Sequence, residues 1–342
     1  MREFVKGKTI LVTGGTGSFG HQIVSTILNF APREVRIYSR DEKKQDDMRY
    51  WFNNDPRLRF IIGDVRNRKA LVSASAGVDL LFHAAALKQV PSCQYNVMEA
   101  VMTNTLGAAN VIEACVQNKI PEAVAISTDK AVKPVNVMGM TKALQERLFI
   151  TANIRPDAAS TEFQIVRYGN VLGSRGSVVP LFKKQLLAGK PLTITEPEMT
   201  RFIITLKEAI WLVFTAMCDG VGGEIFVLKS KALSVGDLAA VMAGAKGQKL
   251  KTSQLGMRSV EKMHEILISE EESLRSLEQK DHFIVVPEVK NKKTEQRYRK
   301  AKFFKKPFEY SSQAAGRMGR TEIQKLLRQE GWLDFKDKDG EV

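Results

Sequence analysis

The chain has 342 residues, of which 44% are hydrophobic and 26% charged, a composition typical of a globular protein with a substantial core. It has no apolar run of about eighteen residues and no signal-peptide pattern before the first apolar strand, so we expect neither a membrane span nor secretion. The net charge of +14 points towards nucleic acid, but no nucleic-acid-binding motif accompanies it, and we expect no nucleic-acid partner.

Much of the positive charge lies in one segment, residues 290–306, which has nine Lys or Arg and a single acid, Glu295. We interpret this basic segment as a solvated loop, or as an edge that faces an anionic ligand or a neighbouring subunit.

The three cysteines, Cys93, Cys115 and Cys218, are odd in number and widely spaced. This spacing argues against a disulfide framework and against a metal site. The sequence therefore predicts a protein of the reducing cytoplasm without a bound metal.

Apolar, β-branched runs alternate with helical patterns through the first half of the chain. The predicted strands are 9–12, 35–38, 58–62, 80–82, 123–126 and 163–166. The predicted helices between them are 21–28, 104–117 and 142–152. Because strands that alternate with helices form right-handed βαβ units, we expect an α/β fold with a Rossmann-like, doubly wound parallel sheet.

After about residue 170 the pattern loosens, since glycines and prolines separate shorter elements. Helical patterns return at 210–216, 235–242, 270–280 and from Thr321 onwards. We predict a nucleotide-binding domain of residues 1–170, to which elements at about 203–240 return, and a smaller domain at 171–342 that mainly binds substrate.

A glycine-rich loop joins the first predicted strand to the first predicted helix. Gly14, Gly17 and Gly20 would allow a tight turn, close approach of the backbone to a pyrophosphate, and close packing of helix on strand. Because the loop follows a strand and opens a helix, it predicts a dinucleotide site. The same predicted turn includes Thr16, Ser18 and Phe19.

The residues after the second strand bear on which dinucleotide is bound. Ser39 and Arg40 provide a hydroxyl and a guanidinium, which suit a 2′-phosphate, so NADP is favoured over NAD. Asp41 keeps NAD possible, and Lys43 and Lys44 add positive charge.

Later strand ends add further cofactor candidates. They are Asp64 and Val65, placed to meet adenine, and the small residues Ala84, Ala85 and Ala86. A helix N-cap explains Asp64 nearly as well, and His83 is interpreted as a structural histidine.

Polar groups cluster after the fifth predicted strand. Ser127-Thr128-Asp129-Lys130 follows an apolar run, and Met138-Gly139-Met140-Thr141-Lys142 comes shortly after it. Open α/β sheets bind ligands outside the carboxyl ends of their strands. We therefore expect an active site here rather than a surface ion pair.

These motifs, together with Arg167-Tyr168-Gly169-Asn170 and Gly173-Ser174-Arg175-Gly176-Ser177, resemble those of the extended short-chain dehydrogenase/reductases. More narrowly, their order from residue 7 to about 312 is similar to that of the soluble UDP-N-acetylglucosamine 4,6-dehydratases of pseudaminic acid and capsular polysaccharide synthesis. The resemblance implies a UDP-sugar substrate, a homo-oligomer that is often a hexamer, and bound NADP. It adds to the cofactor contacts Ser127, Met138, Lys142 and Tyr168.

The reaction that the resemblance implies oxidises C4 of the sugar, removes the C5 proton and the C6 hydroxyl as water, and returns hydride to C6, with inversion at C5. Thr128 would hydrogen-bond the C4 oxygen, and Lys142 would hold the nicotinamide ribose. Lys130 would take the C5 proton if burial or Lys142 lowers its pKa. Asp129 would protonate the C6 hydroxyl if an apolar pocket raises its pKa.

Met138 departs from most short-chain dehydrogenases, which have a tyrosine four residues before the lysine. A thioether has no titratable proton. Either Lys130 or Lys142 removes the C4 proton, directly or through water or the ribose hydroxyl, or the chain has lost catalysis. We favour the first, because some capsular dehydratases that the chain resembles also have methionine here.

The resemblance also carries over a set of sugar-nucleotide contacts. They are Lys88, Asn170, Val171, Gly173, Ser174, Arg175, Val178, Arg201, Arg258, Glu261, Tyr310, Ser311 and Ser312. Arginine suits a diphosphate because its guanidinium binds two oxygens at once. The C-terminal part departs from the family pattern, with Ser259-Val260 where Pro-Gly is usual and Ala314-Ala315 where asparagine is common.

Two other functions stay open. A sugar-nucleotide 4-epimerase also oxidises C4 but needs no Asp-Lys pair for an elimination. A non-catalytic NADP-binding sensor or scaffold would account for Met138.

Overall fold

The computed structural model of the protein describes residues 1–335, so residues 336–342 of the predicted second domain lie outside the described residues. The strands are β1 (Thr9–Thr13), β2 (Glu34–Ser39), β3 (Leu58–Ile62), β4 (Leu80–His83), β5 (Glu122–Thr128), β6 (Glu162–Tyr168), β7 (Asn170–Val171), β8 (Leu192–Ile194), β9 (Thr200–Ile204), β10 (Ile225–Leu228), β11 (Ala232–Ser234), β12 (Thr252–Gln254), β13 (Ile266–Ile268), β14 (Ser276–Glu278), β15 (His282–Val285) and β16 (Tyr310–Ser311). The α-helices are α1 (Arg2–Val5), α2 (Ser18–Leu28), α3 (Glu42–Trp51), α4 (Arg68–Ala74), α5 (Val90–Tyr95), α6 (Val97–Ala100), α7 (Gly107–Asn118), α8 (Val137–Ala152), α9 (Val178–Leu187), α10 (Leu206–Asp219), α11 (Val235–Ala245), α12 (Glu270–Ser273), α13 (Lys292–Tyr298) and α14 (Arg320–Gln329).

Nine strands form one sheet in the order β14-β15-β10-β6-β5-β4-β1-β2-β3. The strands from β10 to β3 in this order are parallel, while at one edge β15 pairs antiparallel with β10 and β14 pairs antiparallel with β15. The chain order reverses between β1 and β4, and ligands of such sheets bind in the crevice that opens at this point. The six predicted strands are all present, and the predicted α/β fold is confirmed.

Apolar side chains cover both faces of this sheet, as a parallel sheet requires. One face packs against α4, α7 and α8, with buried Leu71, Val111 and Phe149. The other face packs against α2 and α10, with buried Ile23 and Phe214. The sheet is therefore doubly wound.

A smaller unit has its own core, in which α9, α11 and α14 contribute Phe182, Leu238 and Leu327. There β8 pairs with β12. Strand β10 belongs to the large sheet, and α10 packs on one of its faces, so these two elements after residue 170 share the core of the first unit.

The helical prediction for residues 270–280 is wrong over most of its length. Helix α12 ends at Ser273, and β14 follows as the edge strand of the large sheet. Helix propensity is a weak preference, and pairing of β14 with β15 satisfies backbone groups that the local sequence does not reveal.

Helix α13, within the basic segment, lies at the end of the sheet where the parallel strands begin. There Lys293 Nζ is 2.6 Å from Glu162 Oε1 at the start of β6, and Thr294 Oγ1 donates to the carbonyl of Gly222, just before β10. All nine Lys and Arg of the segment are exposed.

Within residues 1–335, no helix has both the length and the apolar character needed to cross a bilayer. The same residues contain no group of three His, Cys, Asp or Glu placed to hold a metal ion. Cys93 and Cys115 are buried free thiols, and Cys218 is an exposed one.

Arg167, in β6, is a buried cation between two carboxylates. Its guanidinium lies 2.6 Å from Glu146 Oε2 and 2.8 Å from Glu272 Oε2, and its side chain is only 2% exposed. It also donates to the carbonyl of Leu267 at 2.8 Å, while Ser127 Oγ donates to Glu146 Oε1 at 2.5 Å. This network joins β5, β6, α8, α12 and β13.

We expect Arg167→Met to lower the free energy of unfolding by about 3–5 kcal/mol, because Glu146 and Glu272 would be left buried without their cation. Urea denaturation followed by circular dichroism measures this loss. Arg155→Met is the control, since its partners Glu113 and Asp157 are at the surface and it should cost about 0–1 kcal/mol. Equal losses in the two variants would contradict a buried role for the Arg167 network.

Candidate active site

The glycine-rich loop lies at the switch point of the sheet. Gly14 has φ of +68°, and a Cβ there would lie 2.7 Å from the backbone nitrogen of Ala85, so a side chain has no room. A Cβ on Gly20 would lie 2.0 Å from the carbonyl oxygen of Gly15, which is why α2 approaches the loop so closely. Glycine at these positions therefore brings the loop after β1 against the loop after β4.

A cavity of about 400 Å³, here called the phosphate-loop cavity, opens beside this loop. Ten of the predicted cofactor contacts line it: Gly14, Thr16, Ser39, Arg40, Asp41, Lys44, Asp64, Val65, Ala85 and Ala86. The structure thus brings together the ends of β1, β2, β3 and β4.

Three further residues line the phosphate-loop cavity and were not predicted: Tyr38, Gly63 and Thr103. The Tyr38 ring lies against Gly63, where a Cβ would be 2.3 Å from a ring carbon, and its hydroxyl donates to the carbonyl of Asp64. Gly63 at the end of a predicted strand was a signal for this close approach. Thr103 lies in a π-helical turn that sequence periodicity does not reveal.

The charged groups of this cavity differ in how closely they are paired with other residues. Asp41 caps α3 by accepting from the Lys44 backbone at 3.0 Å, and its carboxylate also pairs with Lys44 Nζ at 2.6 Å. These hydrogen bonds from Lys44 lower the pKa of Asp41. Arg40 is half exposed and lies 3.6 Å from Asp64, so its guanidinium stays available at the cavity.

The remaining predicted cofactor contacts do not line the phosphate-loop cavity. Gly17 is the N-cap of α2, and Ser18, Phe19 and Gly20 form the first turn of that helix. Lys43 pairs with Asp47 on the exposed face of α3. The others are Ala84, Ser127, Met138, Lys142 and Tyr168, of which the last four are buried. Ser127 donates to Glu146, and burial raises the pKa of the Tyr168 phenol.

At the carboxyl end of β5, Asp129 and Lys130 form a close pair. Asp129 Oδ1 accepts from Thr128 Oγ1 at 2.8 Å and from Lys130 Nζ at 3.0 Å. Its Oδ2 is buried and has no hydrogen-bond partner among the described residues. Lys130 Nζ also donates to Asn170 Oδ1 at 3.2 Å and lies 3.4 Å from Glu265 Oε1.

Lys130 does not have the lowered pKa that the sequence suggested. Burial alone would lower the pKa of its ammonium, but the negative charges of Asp129 and Glu265 outweigh burial and raise it. The condition set in the sequence analysis, a lowered pKa of Lys130, is therefore not met, because the neighbouring Asp129 and then Glu265, from a distant part of the chain, favour the ammonium.

Lys142 is the lysine whose pKa is lowered. Burial lowers it to about 7, and the charge of Glu146 only partly offsets this. Its Nζ donates to the carbonyl of Ile126 and to Gln145 Oε1, both at 2.6 Å. Near neutral pH this amine can therefore both accept and donate a proton.

Met138 lies one helical turn before Lys142 and is 4% exposed. It packs in a small apolar cluster with Cys93, Ala100 and the half-buried Leu87. The position that most short-chain dehydrogenases give to a phenol therefore contributes packing.

A second cavity of about 130 Å³, here called the lysine cavity, lies beside the Asp129–Lys130 pair. It is lined by Val90, Lys130, Val135, Asn136, Arg201, Val260, Glu261, Lys262 and Glu265. Lys130, Arg201 and Glu261 were predicted, whereas Lys262 and Glu265 were missed because no local motif marks them. Arg258 is exposed and pairs with Glu261 at 3.2 Å.

The loop at 173–177 lies over the phosphate loop. The Arg175 backbone amide donates to Ser18 Oγ at 3.4 Å, and Ser174 precedes it. Gly173 has φ of +69°, and a Cβ there would lie 2.0 Å from the Trp332 ring. Beside this loop Lys88 is exposed, and partial desolvation of its ammonium together with the charge of Arg175 lowers its pKa.

Several predicted substrate contacts take part in hydrogen bonds or packing within the protein. The Tyr310 hydroxyl donates to the carbonyl of Ser230, and Ser311 pairs in β16. Ser312 is buried, with its Oγ accepting from the backbone of Glu265 at 2.9 Å. Val171 and Val178 pack against the cores of the two units.

A third cavity, of about 420 Å³, lies between α8 and α12 and contains no predicted site residue. Arg167, Glu146 and Glu272 line it and are paired with one another. It is therefore a weaker candidate for chemistry than the lysine cavity.

Comparison with known proteins places this geometry in a family. A family model described as polysaccharide biosynthesis protein matches residues 10–287. A UDP-glucose 4-epimerase of Rickettsia canadensis (strain McKiel) is 49% identical over 281 residues, which cover 81% of this chain and 82% of that protein.

Solved structures agree. Pen from Bacillus thuringiensis is 37% identical, with a TM-score of 0.89 over 95% of this chain and 98% of Pen. DesIV, a dTDP-glucose 4,6-dehydratase from Streptomyces venezuelae determined with NAD, is 21% identical, with a TM-score of 0.68 over 75% of this chain and 86% of DesIV, and this likeness concerns the fold alone. The chain therefore belongs to the polysaccharide biosynthesis protein family and is an enzyme of the sugar-nucleotide epimerase and dehydratase type, with the fold of the extended short-chain dehydrogenase/reductases.

Proposed function

We propose that the chain removes water from UDP-N-acetylglucosamine to form a UDP-4-keto-6-deoxy-N-acetylhexosamine, with inversion at C5, for surface polysaccharide or nonulosonic acid synthesis. The observation that carries this proposal is the Asp129–Lys130 pair at the edge of the lysine cavity. Elimination across C5 and C6 needs a base and an acid in one site, and this pair supplies both kinds of group.

The roles of the two groups follow from their contacts. Asp129 Oδ2 is buried and unpartnered, so it is the oxygen that can deliver a proton to the departing C6 hydroxyl. Lys130 and Asp129 share one proton across 3.0 Å, and when it lies on Asp129, Lys130 is the amine that takes the C5 proton, with Nζ held by Asn170. We assign the C4 oxygen to the hydroxyl of Thr128, which in the free protein donates to Asp129.

The proton of the C4 hydroxyl needs another acceptor, because Met138 has none. We assign this role to Lys142, acting directly or through water or the ribose hydroxyl. Its pKa of about 7 suits a group that must take up and return a proton at neutral pH.

A UDP-sugar 4-epimerase is the second candidate, and the names of the curated relatives favour it. Proteins called UDP-glucose 4-epimerase are 49% and 48% identical to this chain over about 80% of its length. Epimerisation uses the same oxidation at C4 but leaves C5 and C6 unchanged, so the mass of the product distinguishes the two reactions.

We expect the protein, incubated with NADP and UDP-N-acetylglucosamine, to form a product that is lighter by one water and contains deuterium at C5 when the solvent is D₂O. Mass spectrometry and NMR measure both changes. Lys130→Ala should abolish water loss while cofactor binding persists, because the C5 base is removed. The control Lys133→Ala changes a surface lysine paired with Glu309 and should retain activity.

Other products would overturn this proposal. An isobaric product from UDP-N-acetylglucosamine or UDP-glucose would establish the epimerase. Unchanged substrate with bound cofactor would support the non-catalytic sensor. Near-normal water loss by Lys130→Ala would remove Lys130 from its role.

The phosphate-loop cavity fits a nicotinamide dinucleotide, because Gly14 and Ala85 bring backbone to the cavity where a Cβ would block it. Such a cofactor supplies hydride acceptance at C4 and hydride return. We assign NADP: Asp41 is occupied by its cap and by Lys44, so it is poorly placed to bind ribose hydroxyls, whereas Arg40 offers a cation. NAD, with which DesIV was determined, is the alternative.

Arg40→Ser should weaken NADP binding about tenfold or more and leave NAD binding little changed, because a charge-assisted hydrogen bond contributes about 1.5–3 kcal/mol. Isothermal titration calorimetry with each dinucleotide measures the difference. Lys43→Ser is the matched control, since Lys43 pairs with Asp47 outside the cavity. If Arg40→Ser weakens both dinucleotides equally, Arg40 does not select the 2′-phosphate.

We further propose that the chain forms a homo-oligomer, for which the resemblance suggests a hexamer. An exposed apolar stripe consists of Met98, Met102 and Leu106, together with Met140 and Leu144 on α8. The two helical segments are adjacent, since Asn104 Nδ2 donates to Thr141 Oγ1 at 3.0 Å. A second copy of the same stripe would cover this surface through a two-fold interface.

The double variant Leu106→Arg/Leu144→Arg should reduce the oligomer to smaller species, because charge at the centre of an apolar interface is costly. Size-exclusion chromatography with light scattering measures the mass. Leu255→Arg, at an exposed leucine elsewhere, should leave the mass unchanged. A wild-type monomer would contradict the proposed assembly.

The buried free thiols Cys93 and Cys115 suit a reducing compartment, and we assign the protein to the cytoplasm.

A further inference from the structure

Glu265 faces Lys130 across the lysine cavity, from the segment just before β13. Its side chain is 4% exposed, and its Oε1 lies 3.4 Å from Lys130 Nζ. Its Oε2 is buried without a hydrogen-bond partner among the described residues. Burial removes the water that would hydrate this carboxylate, and the protein does not replace all of its hydrogen bonds. Such burial costs free energy, so it calls for a functional explanation.

We infer that Glu265 is a positioning residue that fixes the orientation and the protonation state of Lys130. This inference rests on the proposed dehydration and deepens it, because it identifies which carboxylate controls the C5 base. Glu265 has no place in the motifs of the sequence analysis, and it reaches the site only through the tertiary fold.

The backbone of Glu265 is held rigidly for this purpose. Ser312 Oγ accepts from the Glu265 amide at 2.9 Å, and the Ser312 amide donates to the Glu265 carbonyl at 2.8 Å. Ser312 Oγ is also 2.7 Å from Thr200 Oγ1, which in turn lies 2.7 Å from His264 Nδ1. These bonds lie next to the pairing of β13 with β16 and fix the backbone from which the Glu265 side chain extends.

The charged groups that face Lys130 are Asp129, Glu265, Arg201 and Lys262. Asp129 alone would balance the ammonium of Lys130. Arg201 lies 3.9 Å from Glu265 Oε1, and Lys262 donates to the carbonyl of Val132 at 2.6 Å. Glu265 thus adds a second negative charge beside Lys130, only partly shared with Arg201.

In the step that Glu265 serves, the C5–H bond breaks and an N–H bond forms on Lys130. The electron pair left at C5 forms the C5–C6 double bond as the C6–O bond breaks, and Asp129 supplies the proton with which the hydroxyl leaves as water. Glu265 exchanges no bond. It keeps Nζ between two carboxylates and stabilises the ammonium that the step produces.

The test is the titration of the Lys130 amine in the free protein, measured from the rate of acetylation by acetic anhydride across neutral and alkaline pH, with peptide mass spectrometry as readout. Glu265→Gln keeps the shape of the side chain and removes its charge. We expect the midpoint to fall by about 1 to 3 pH units, because an opposite charge at this distance favours the ammonium form by that amount. Glu265→Asp should restore most of the shift.

Glu309→Gln is the matched control, since it removes a carboxylate 2.7 Å from Lys133, three residues beyond Lys130, and should leave the Lys130 midpoint unchanged. An unchanged midpoint in a folded Glu265→Gln protein would overturn the inference. If the Glu265→Gln protein does not fold, the Glu265→Asp protein replaces it in the acetylation titration. A Lys130 midpoint equal to that of the wild type then supports the inference. A midpoint equal to that of Lys130 in a peptide overturns it.

Water loss from UDP-N-acetylglucosamine gives the second readout. Because the amine form of Lys130 is required, the acid limb of the pH profile should move to lower pH in Glu265→Gln, whereas a purely structural loss would lower the rate without moving the limb. The acetylation experiment needs no substrate. A shifted midpoint without any water loss would therefore reject the proposed dehydration and retain the control of Lys130 by Glu265.

Discussion

The buried ion pairs of Arg167 with Glu146 and Glu272 hold the two sides of the lysine cavity at a fixed distance. Glu146 accepts from Ser127, which precedes Thr128 and Asp129, and Arg167 donates to the carbonyl of Leu267, two residues after Glu265. One cation thus attaches the end of β5 and the start of β13 to the same point in β6. Buried charges are a poor source of net stability, but the loss of one partner is severe, so this arrangement favours a single geometry.

The two cavities are built in different ways. The phosphate-loop cavity depends on backbone conformation at adjacent strand ends. At Gly14 the loop after β1 comes so close to Ala85 that there is no room for a Cβ. The lysine cavity depends on side chains from segments far apart in the chain, with Lys130 after β5, Arg201 in β9 and Glu265 before β13. The first is local in sequence, whereas the second exists only once the smaller unit has packed onto the sheet.

This difference explains how much the sequence could predict. The strands and the glycine loop follow from periodicity and from backbone requirements that a short window contains, and the structure has them where expected. The strand β14 was missed because its partner β15 is not recognisable from residues 270–280 alone. The balance that sets the Lys130 pKa, between burial on one side and the charges of Asp129 and Glu265 on the other, depends on the folded chain and could not be read from the motif.

The predicted substrate contacts show the same limit. Resemblance placed Tyr310 and Ser312 at the sugar nucleotide, but their hydroxyls are engaged with Ser230 and Glu265. A sequence pattern shared within a family does not distinguish residues that contact the ligand from residues that position them. Hydrogen-bond partners make that distinction, and they are a property of the folded chain.

The position of the basic segment determines how the net charge of +14 acts at a distance. Its helix α13 lies where the parallel strands begin, and β6, with seven residues, separates that helix from the carboxyl ends of the strands by about 20 Å. The Debye length at physiological salt is about 8 Å, so the charge of α13 is largely screened at the opposite edge. An anion at the carboxyl ends of the strands therefore responds to the cations that line the two cavities there, Arg40, Lys44, Lys130, Arg201 and Lys262, rather than to those of α13.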